Sequence, residues 1–171
     1  MTGKLLILGA GGYGRTVAEA MGGQFGGVAF LDDGVRGPGV LGVCADYIGL
    51  AKTYTYAYPA FGDNQLRGAW LNRLEEAGYI LPRLVHPSAY VSPSALVEDG
   101  AAVLPLACVG AHTVVRRGAI VNMGAIADHD CSLGFCVHLA PGAVVKAGCL
   151  VPPMTKVDSG AVIRRAGERN E

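Results

Sequence analysis

A period of six residues runs through the second half of the chain. From Val85 to Ile163 every sixth position holds Val, Leu, Ile or, once, Ala127, and a small or modest side chain follows four residues later. Such a period is typical of repeat folds, in which each repeat buries its apolar face only against its neighbours. Six residues fit neither a helix at 3.6 residues per turn nor a simple alternating strand. The period therefore predicts coils of eighteen residues with three short flat strands each, and an inward side chain at every sixth position.

Composition excludes several classes of function. The 171 residues suffice for one domain or two small ones, and 14 basic residues balance 14 acidic ones. A neutral chain gives no electrostatic reason to expect nucleic acid or an anionic membrane as partner. No apolar run reaches the length of a membrane span or a signal peptide. The five cysteines have no CxxC spacing, and Cys131 and Cys149 take the small inward position of their hexads. We therefore expect core thiols, no metal and a cytoplasmic location.

The first eighty residues follow a different pattern, that of a small α/β unit. A buried strand over 4–8 leads into Gly9-Ala10-Gly11-Gly12-Tyr13-Gly14 and a helix over 15–21, and a second strand over 28–31 ends in Asp32-Asp33. Glycines between a strand and a helix let backbone N–H groups approach a phosphate. An acidic residue after the second strand can accept a hydrogen bond from a ribose hydroxyl. The pattern predicts a nucleotide-binding unit, although eighty residues provide too little sheet for a full nicotinamide-dependent enzyme.

The remaining elements complete the predicted division of the chain. We expect a loop over 34–42, a short helix over 46–50, a third strand over 52–60, a turn and helix cap at Gly62-Asp63-Asn64, a helix over 65–77 and a last strand over 79–84. The predicted domains are an α/β domain over 1–80, the repeat domain over 81–165 and a polar tail over 166–171.

The candidate catalytic residues lie in the repeat domain. Its phase places His129 and Asp130 on the outer surface, and it places His138, which precedes inward Leu139, outside as well. His112 lies one coil before Asp130, so the two should be near neighbours. An imidazole with a pKa near neutrality can take a proton from an amine or hydroxyl as that group attacks an acyl carbon, and a neighbouring carboxylate can orient the ring. Because the chain has no Gly-x-Ser-x-Gly elbow, direct transfer is favoured over a covalent acyl-enzyme.

Motifs over nearly the whole chain together carry a family resemblance. They are Gly9-Ala10-Gly11-Gly12-Tyr13-Gly14, Asp32-Asp33, Gly62-Asp63-Asn64 with Arg67, His86-Pro87-Ser88-Ala89, Asn122-Met123-Gly124-Ala125, His129-Asp130-Cys131-Ser132-Leu133-Gly134 and His138-Leu139-Ala140-Pro141-Gly142-Ala143. With these motifs the chain resembles the bacterial sugar acyltransferases that join a small Rossmann-like domain to a left-handed parallel β-helix of hexapeptide repeats. These are the UDP-4-amino-sugar N-acetyltransferases and their sialic-acid O-acetyltransferase relatives.

The resemblance implies an acetyl-CoA-dependent acetyltransferase that acts on the amino group of a UDP-linked 4-amino-4,6-dideoxy sugar. His129 would be the general base, paired with Asp130, and the protein would be a homotrimer with acetyl-CoA between adjacent β-helices. The residues expected on the UDP-sugar are Gly9, Gly11, Gly12, Tyr13, Gly14, Asp32, Asp33, Gly62, Asp63, Asn64, Asn122 and His138. Those expected on acetyl-CoA are His138, Gly142, Ala143 and Lys146.

Two departures from the family pattern leave alternatives open. Tyr13 stands where the family commonly has a histidine, and tyrosine is a poor base at neutral pH. The β-helix after His129 is shorter than is usual in the family. The alternatives are a sugar O-acetyltransferase of the sialic acid type and a shortened, non-catalytic protein that binds UDP-sugars.

Overall fold

A computed structural model describes residues 2–165, and the chain divides into two units between Pro82 and Arg83. The predicted polar tail over 166–171 lies outside the described residues. The longest helix in the described part has 13 residues, and none there is long and apolar enough to cross a membrane.

The first unit is built on a four-stranded parallel sheet with the strand order β3-β2-β1-β4. The strands are β1 (Leu5–Leu8), β2 (Val28–Leu31), β3 (Val40–Gly42) and β4 (Tyr56–Pro59), and the α-helices are α1 (Gly12–Met21), α2 (Tyr47–Leu50) and α3 (Asn64–Glu76). Short 3-10 turns occupy Gly22–Gln24 and Cys44–Asp46. All four side chains of β1 are fully buried, as expected for a central strand of a parallel sheet.

Three expectations for this unit are corrected by the structure. Helix α1 begins at Gly12, inside the glycine motif, and not at residue 15. The expected loop over 34–42 ends in strand β3, which pairs with β2. The expected strand over 79–84 does not form, because Ile80 makes only an isolated bridge to Tyr56 while Leu84 pairs with Ala102 in the repeat.

The second unit confirms the predicted coil of short strands. Fourteen two-residue strands follow at six-residue intervals: β5 (Leu84–Val85), β6 (Tyr90–Val91), β7 (Leu96–Val97), β8 (Ala102–Val103), β9 (Cys108–Val109), β10 (Val114–Val115), β11 (Ile120–Val121), β12 (Ile126–Ala127), β13 (Ser132–Leu133), β14 (His138–Leu139), β15 (Val144–Val145), β16 (Leu150–Val151), β17 (Lys156–Val157) and β18 (Val162–Ile163). They form three parallel sheets. Face A contains β5, β8, β11, β14 and β17; face B contains β6, β9, β12, β15 and β18; face C contains β7, β10, β13 and β16.

The core of this β-helix consists of the residues that the period predicts. Val103, Val109, Val121 and Leu139 are fully buried, and so are small partners such as Ala125. Full burial of one Val or Leu side chain contributes about 1.5–3 kcal/mol, so the stack is the main source of stability of this unit. Toward both ends the inward positions are only partly buried, because a repeat there has a neighbour on one side only.

One corner of the β-helix, between faces B and C, carries the candidate site. Its turns place His112, Asp130 and Gly148 at equivalent positions one coil apart, with φ values of 57°, 57° and 65°. Asp and His tolerate this left-handed conformation better than most residues. Backbone bonds lock successive turns together, since Asp130 N donates to Ala111 O at 2.8 Å and Gly148 N donates to His129 O at 2.9 Å. We call this the His129 corner.

Candidate active site

His129 and Asp130 form a hydrogen-bonded pair on the outer surface of the His129 corner. The distance from His129 Nδ1 to Asp130 Oδ2 is 2.6 Å, and the two side chains are 55% and 56% exposed. The predicted outward orientation is therefore confirmed. Because a carboxylate only accepts, the shared proton lies on Nδ1, and Nε2 of the neutral ring is the proton acceptor. The backbone N–H of His129 donates to Asp128 Oδ1 at 2.7 Å and holds the turn.

The environment of the pair favours a charged imidazole. The hydrogen bond to Asp130 raises the pKa of His129 above its ordinary value, and the charges of Asp128 and Asp130 act in the same direction, whereas desolvation and Arg165 oppose them. The same hydrogen bond lowers the pKa of Asp130, with smaller contributions from the charges on His129, His112 and Arg165. His112 thus acts on Asp130 through charge, while the hydrogen bond of Asp130 is made with His129.

His138 lies at an outward position of face A, as the phase predicts, but it is not exposed. It is 8% exposed, and Leu84, Ala102 and Ile120 at other outward positions of face A are fully buried, whereas Lys156 at the end of that face is exposed. Its Nε2 lies 3.2 Å from the Nδ2 of Asn122, which is also buried. The structure thus brings Asn122 and His138 together, but it places them on another face of the β-helix from the His129 corner.

The other residues expected to contact acetyl-CoA are Gly142, Ala143 and Lys146. Each of them is buried in the β-helix or makes a backbone hydrogen bond within it. Ala143 is fully buried in the core of the β-helix, and its place on acetyl-CoA stays a prediction. Gly142 lies in a turn at φ 69° and donates its N–H to Met123 O at 3.0 Å. The N–H of Lys146 donates to Ile163 O at 3.0 Å in the sheet of face B.

The glycines of the first unit serve two different purposes. A Cβ on Gly14 would collide with the carbonyl oxygen of Gly9, so this position allows α1 to pack closely on the end of β1. A Cβ on Gly11 or Gly12 would meet no atom within 4 Å. The space beside the N-terminus of α1 is therefore open to a ligand, and its backbone N–H groups favour an anion there.

The carboxylate of Asp32 accepts hydrogen bonds from the protein backbone. Its Oδ2 accepts from Ala10 N at 2.7 Å, and its Oδ1 accepts from Gly34 N at 2.8 Å and Val35 N at 2.6 Å. Burial alone would raise the pKa of Asp32, but these three N–H groups hold the pKa below its ordinary value. Asp32 thus joins the glycine loop to the loop after β2. Its neighbour Asp33 is exposed and accepts from Cys44 N at 2.8 Å.

The residues around α3 also make internal contacts. Asp63 caps the helix by accepting from Leu66 N at 2.7 Å, as predicted. Asn64 Oδ1 accepts from the fully buried guanidinium of Arg67, which also donates to Phe61 O. Gly62, where an added Cβ would meet no atom within 4 Å, leads into this cap.

Tyr13 is held by a second tyrosine. Its hydroxyl lies 2.7 Å from that of Tyr58, and the two rings meet edge to face at 6.4 Å. Burial raises the pKa of Tyr13 well above its ordinary value, an effect that the charge of Arg67 opposes. Tyr13 is therefore a neutral hydroxyl and not a base.

Comparisons with known proteins agree with this architecture. A family model described as the PglD N-terminal domain matches residues 4–74. The acetyltransferase domain of PglB from Neisseria gonorrhoeae FA1090, solved in complex with acetyl coenzyme A, is 36% identical, with 95% of this chain and 82% of that chain covered and a TM-score of 0.88. A mutant of perosamine N-acetyltransferase from Caulobacter crescentus, in complex with CoA and GDP-perosamine, is 30% identical over 96% and 90% of the two chains, with a TM-score of 0.85. The chain belongs to the sugar acetyltransferase family.

WeeI from Acinetobacter baumannii AYE has the same fold at 18% identity, with 93% of each chain covered and a TM-score of 0.68. The PglB domain and perosamine N-acetyltransferase, at 30% identity or more, confirm the expectation of an acyltransferase. Within residues 2–165 of this acetyltransferase, no group of three or more His, Cys, Asp or Glu side chains is arranged to hold a metal ion.

Two features of the acetyltransferase were missed in the sequence. A cavity of about 190 Å³ beside the glycine loop is lined by residues that include Ala10, Arg15, Phe30, Arg36 and Pro38. Arg15 directly follows the glycine motif, and this basic residue beside a phosphate-binding loop was the available signal. The other feature is the position of Arg165 at the His129 corner; nothing in the hexad pattern marks it.

Proposed function

We propose that the protein transfers the acetyl group of acetyl-CoA to the amino group of a UDP-linked 4-amino-4,6-dideoxy sugar, with His129 as general base and Asp130 as its partner. The observation that carries this proposal is the exposed pair whose hydrogen bond leaves His129 Nε2 as the proton acceptor.

The pair suits the chemistry of amide formation. The sugar nitrogen attacks the thioester carbonyl carbon, a C–N bond forms, and the C–S bond breaks to release the thiolate of CoA. Nε2 of His129 takes the proton that the nitrogen loses and returns it to the thiolate, while Asp130 stabilises the imidazolium between the two steps. A base with a moderately raised pKa suits an amine nucleophile, and positioning the two substrates supplies much of the remaining acceleration.

The nucleotide part of the substrate suits the first unit, which we interpret as Rossmann-like. The open space at Gly11 and Gly12 and the N-terminus of α1 favour a diphosphate. Arg15 and Arg36 line the adjacent cavity and add positive charge. Because Asp32 already accepts three backbone N–H groups, Asp33 is the better candidate for contact with the ribose.

Exposed apolar side chains beside the His129 corner support a homotrimer with acetyl-CoA between subunits. Face B exposes Tyr90 and Ile126, and face C exposes Leu96 and Leu150, the last by 69%. Large apolar patches of this kind mark association surfaces. Since the two faces differ, the contact would be heterologous and would close into a ring.

The test is a thiol-release assay with the purified protein and acetyl-CoA. The acceptors are a UDP-linked 4-amino-4,6-dideoxy sugar, GDP-perosamine and sialic acid. We expect release with the UDP-amino sugar and a loss of roughly 10²–10⁴-fold in His129→Gln. His86→Gln, at a histidine bonded to Ser88 away from the pair, is the matched control and should be unchanged.

Each other result contradicts part of the proposal. Equal release by wild type and His129→Gln would refute the mechanism. Preference for GDP-perosamine would refute the uridine nucleotide, and preference for sialic acid would indicate O-acetylation. Calorimetric heat with UDP and none with CoA would indicate a non-catalytic sugar-nucleotide-binding protein.

A further inference from the structure

The end of the β-helix returns to the His129 corner. Arg165 follows the last strand, β18, by two residues. Its guanidinium lies directly on the turn backbone at Gly148: a Cβ added there would be 2.6 Å from Arg165 Cζ and 2.9 Å from Nε. The absence of a side chain at position 148 thus makes room for the guanidinium.

The Gly148 turn is bonded to the turn that holds the catalytic pair. Gly148 lies one coil after Asp130, with φ at 65°, and its N–H donates to His129 O at 2.9 Å. A cation that rests on Gly148 therefore sits over the turn of His129 and Asp130.

Without Arg165, the groups that act on the charge of His129 would be mainly carboxylates. Asp128 and Asp130 flank the ring on its own turn, and both raise the pKa of His129. His112 faces Asp130 from the coil before. Arg165 lowers the pKa of both His129 and Asp130, so its charge reaches both members of the pair.

We propose that Arg165 is a positioning residue for His129: seated on Gly148, its guanidinium partly offsets the two flanking carboxylates and so increases the fraction of the imidazole in the neutral form that accepts a proton. The inference rests on the proposed role of His129 as general base.

A histidine titration followed by NMR tests the proposal without substrates. The ring signals of His129 are assigned by their loss in His129→Gln. We expect Arg165→Gln to raise the pKa of His129 by roughly 0.3 to 1 unit, and Arg165→Lys to restore most of the wild-type value. Arg164→Gln removes the same charge one residue away and is the matched control. An unchanged His129 pKa in Arg165→Gln, or an equal rise in Arg164→Gln, would overturn the proposal.

A second variant displaces the guanidinium without deleting it. Gly148→Ala places a methyl group where the guanidinium lies and should raise the pKa of His129 as Arg165→Gln does. Gly124→Ala imposes the same backbone strain, since its φ is also 65°, but its Cβ would meet no atom within 4 Å. It should leave the His129 pKa unchanged. A shift in both glycine variants would assign the effect to turn strain and contradict the role of Arg165.

A measurement of activity distinguishes the failure of this inference from the failure of the proposed function. In thiol release, the acid limb of the kcat/KM profile of Arg165→Gln should move to higher pH by the amount that the titration gives. A titration shift with no transfer activity in any variant would leave the electrostatic contact in place and refute the general-base role. Activity with an unshifted acid limb would refute the role of Arg165.

Discussion

Two aspartates with lowered pKa values perform different tasks in the two units. Asp32 in the first unit accepts three backbone N–H groups from two loops. Asp130 in the β-helix accepts from a side chain, the ring of His129, and both remain exposed. The pKa of Asp32 is lowered by backbone N–H groups that outweigh the effect of burial, and that of Asp130 chiefly by an imidazole.

The difference predicts which measurement the loss of each carboxylate should affect. A carboxylate that fixes backbone belongs to the stability of the loop, and its loss should be measurable in unfolding. A carboxylate that fixes an exposed ring sets the protonation of that ring, and its loss should be measurable in a pH profile. Substitutions of Asp32 and Asp130 test this division.

Gly14→Ala should have the largest effect. Its Cβ meets the carbonyl oxygen of Gly9, which is backbone and cannot swing away, so we expect the free energy of unfolding to fall by about 3 kcal/mol. Gly11→Ala is the matched control because its Cβ meets no atom within 4 Å. It should leave urea unfolding unchanged but weaken UDP binding in calorimetry, as the methyl group enters the space left for a phosphate. Equal stability of the two variants would contradict the division of the glycines.

The fold of the β-helix was predictable because every hexad repeats the same local constraint. The phase alone gave the inward side chains, such as Val121, and the outward orientation of His129. The burial of His138 was not predictable, since phase gives the direction of a side chain and not what covers its face. Four of the five outward positions of face A are buried, all but Lys156, whereas no described outward position of faces B and C is buried.

The first unit was less predictable because its contacts are not periodic. Strands β1 and β2 stand out as apolar runs, but β3 lies in a Gly/Pro-rich stretch and is fixed by pairing with β2. The use of Asp32 depends on N–H groups that the fold gathers from residues 10, 34 and 35. The contact of Arg165 with Gly148 was not predictable for the same reason, because it exists only after coiling.

Asp32→Asn tests the backbone half of the comparison and should have an intermediate effect. An amide oxygen accepts less well than a carboxylate and its NH₂ faces a donor, so the free energy of unfolding should fall by about 2 kcal/mol at neutral pH. The lowered pKa of Asp32 means that its contribution is complete above about pH 4 and is lost as the pH falls through the folded value. The difference between wild type and variant in urea unfolding should therefore shrink below pH 4. A difference that does not depend on pH would assign the effect to packing.

Asp130→Asn tests the side-chain half and should have the smallest effect on the folded state, with no change in the urea midpoint. Because the hydrogen bond to Asp130 is the largest cause of the raised pKa of His129, the variant should lower that pKa, and the acid limb of the kcat/KM profile should move to lower pH. This shift is in the opposite direction from that of Arg165→Gln.

Asp128→Asn is the control. It removes the same charge without touching the ring nitrogen, since Asp128 accepts from the backbone of His129, and it should shift the histidine titration less. An equal shift in the two variants would mean that charge alone, and not the hydrogen bond at Nδ1, sets the protonation of His129.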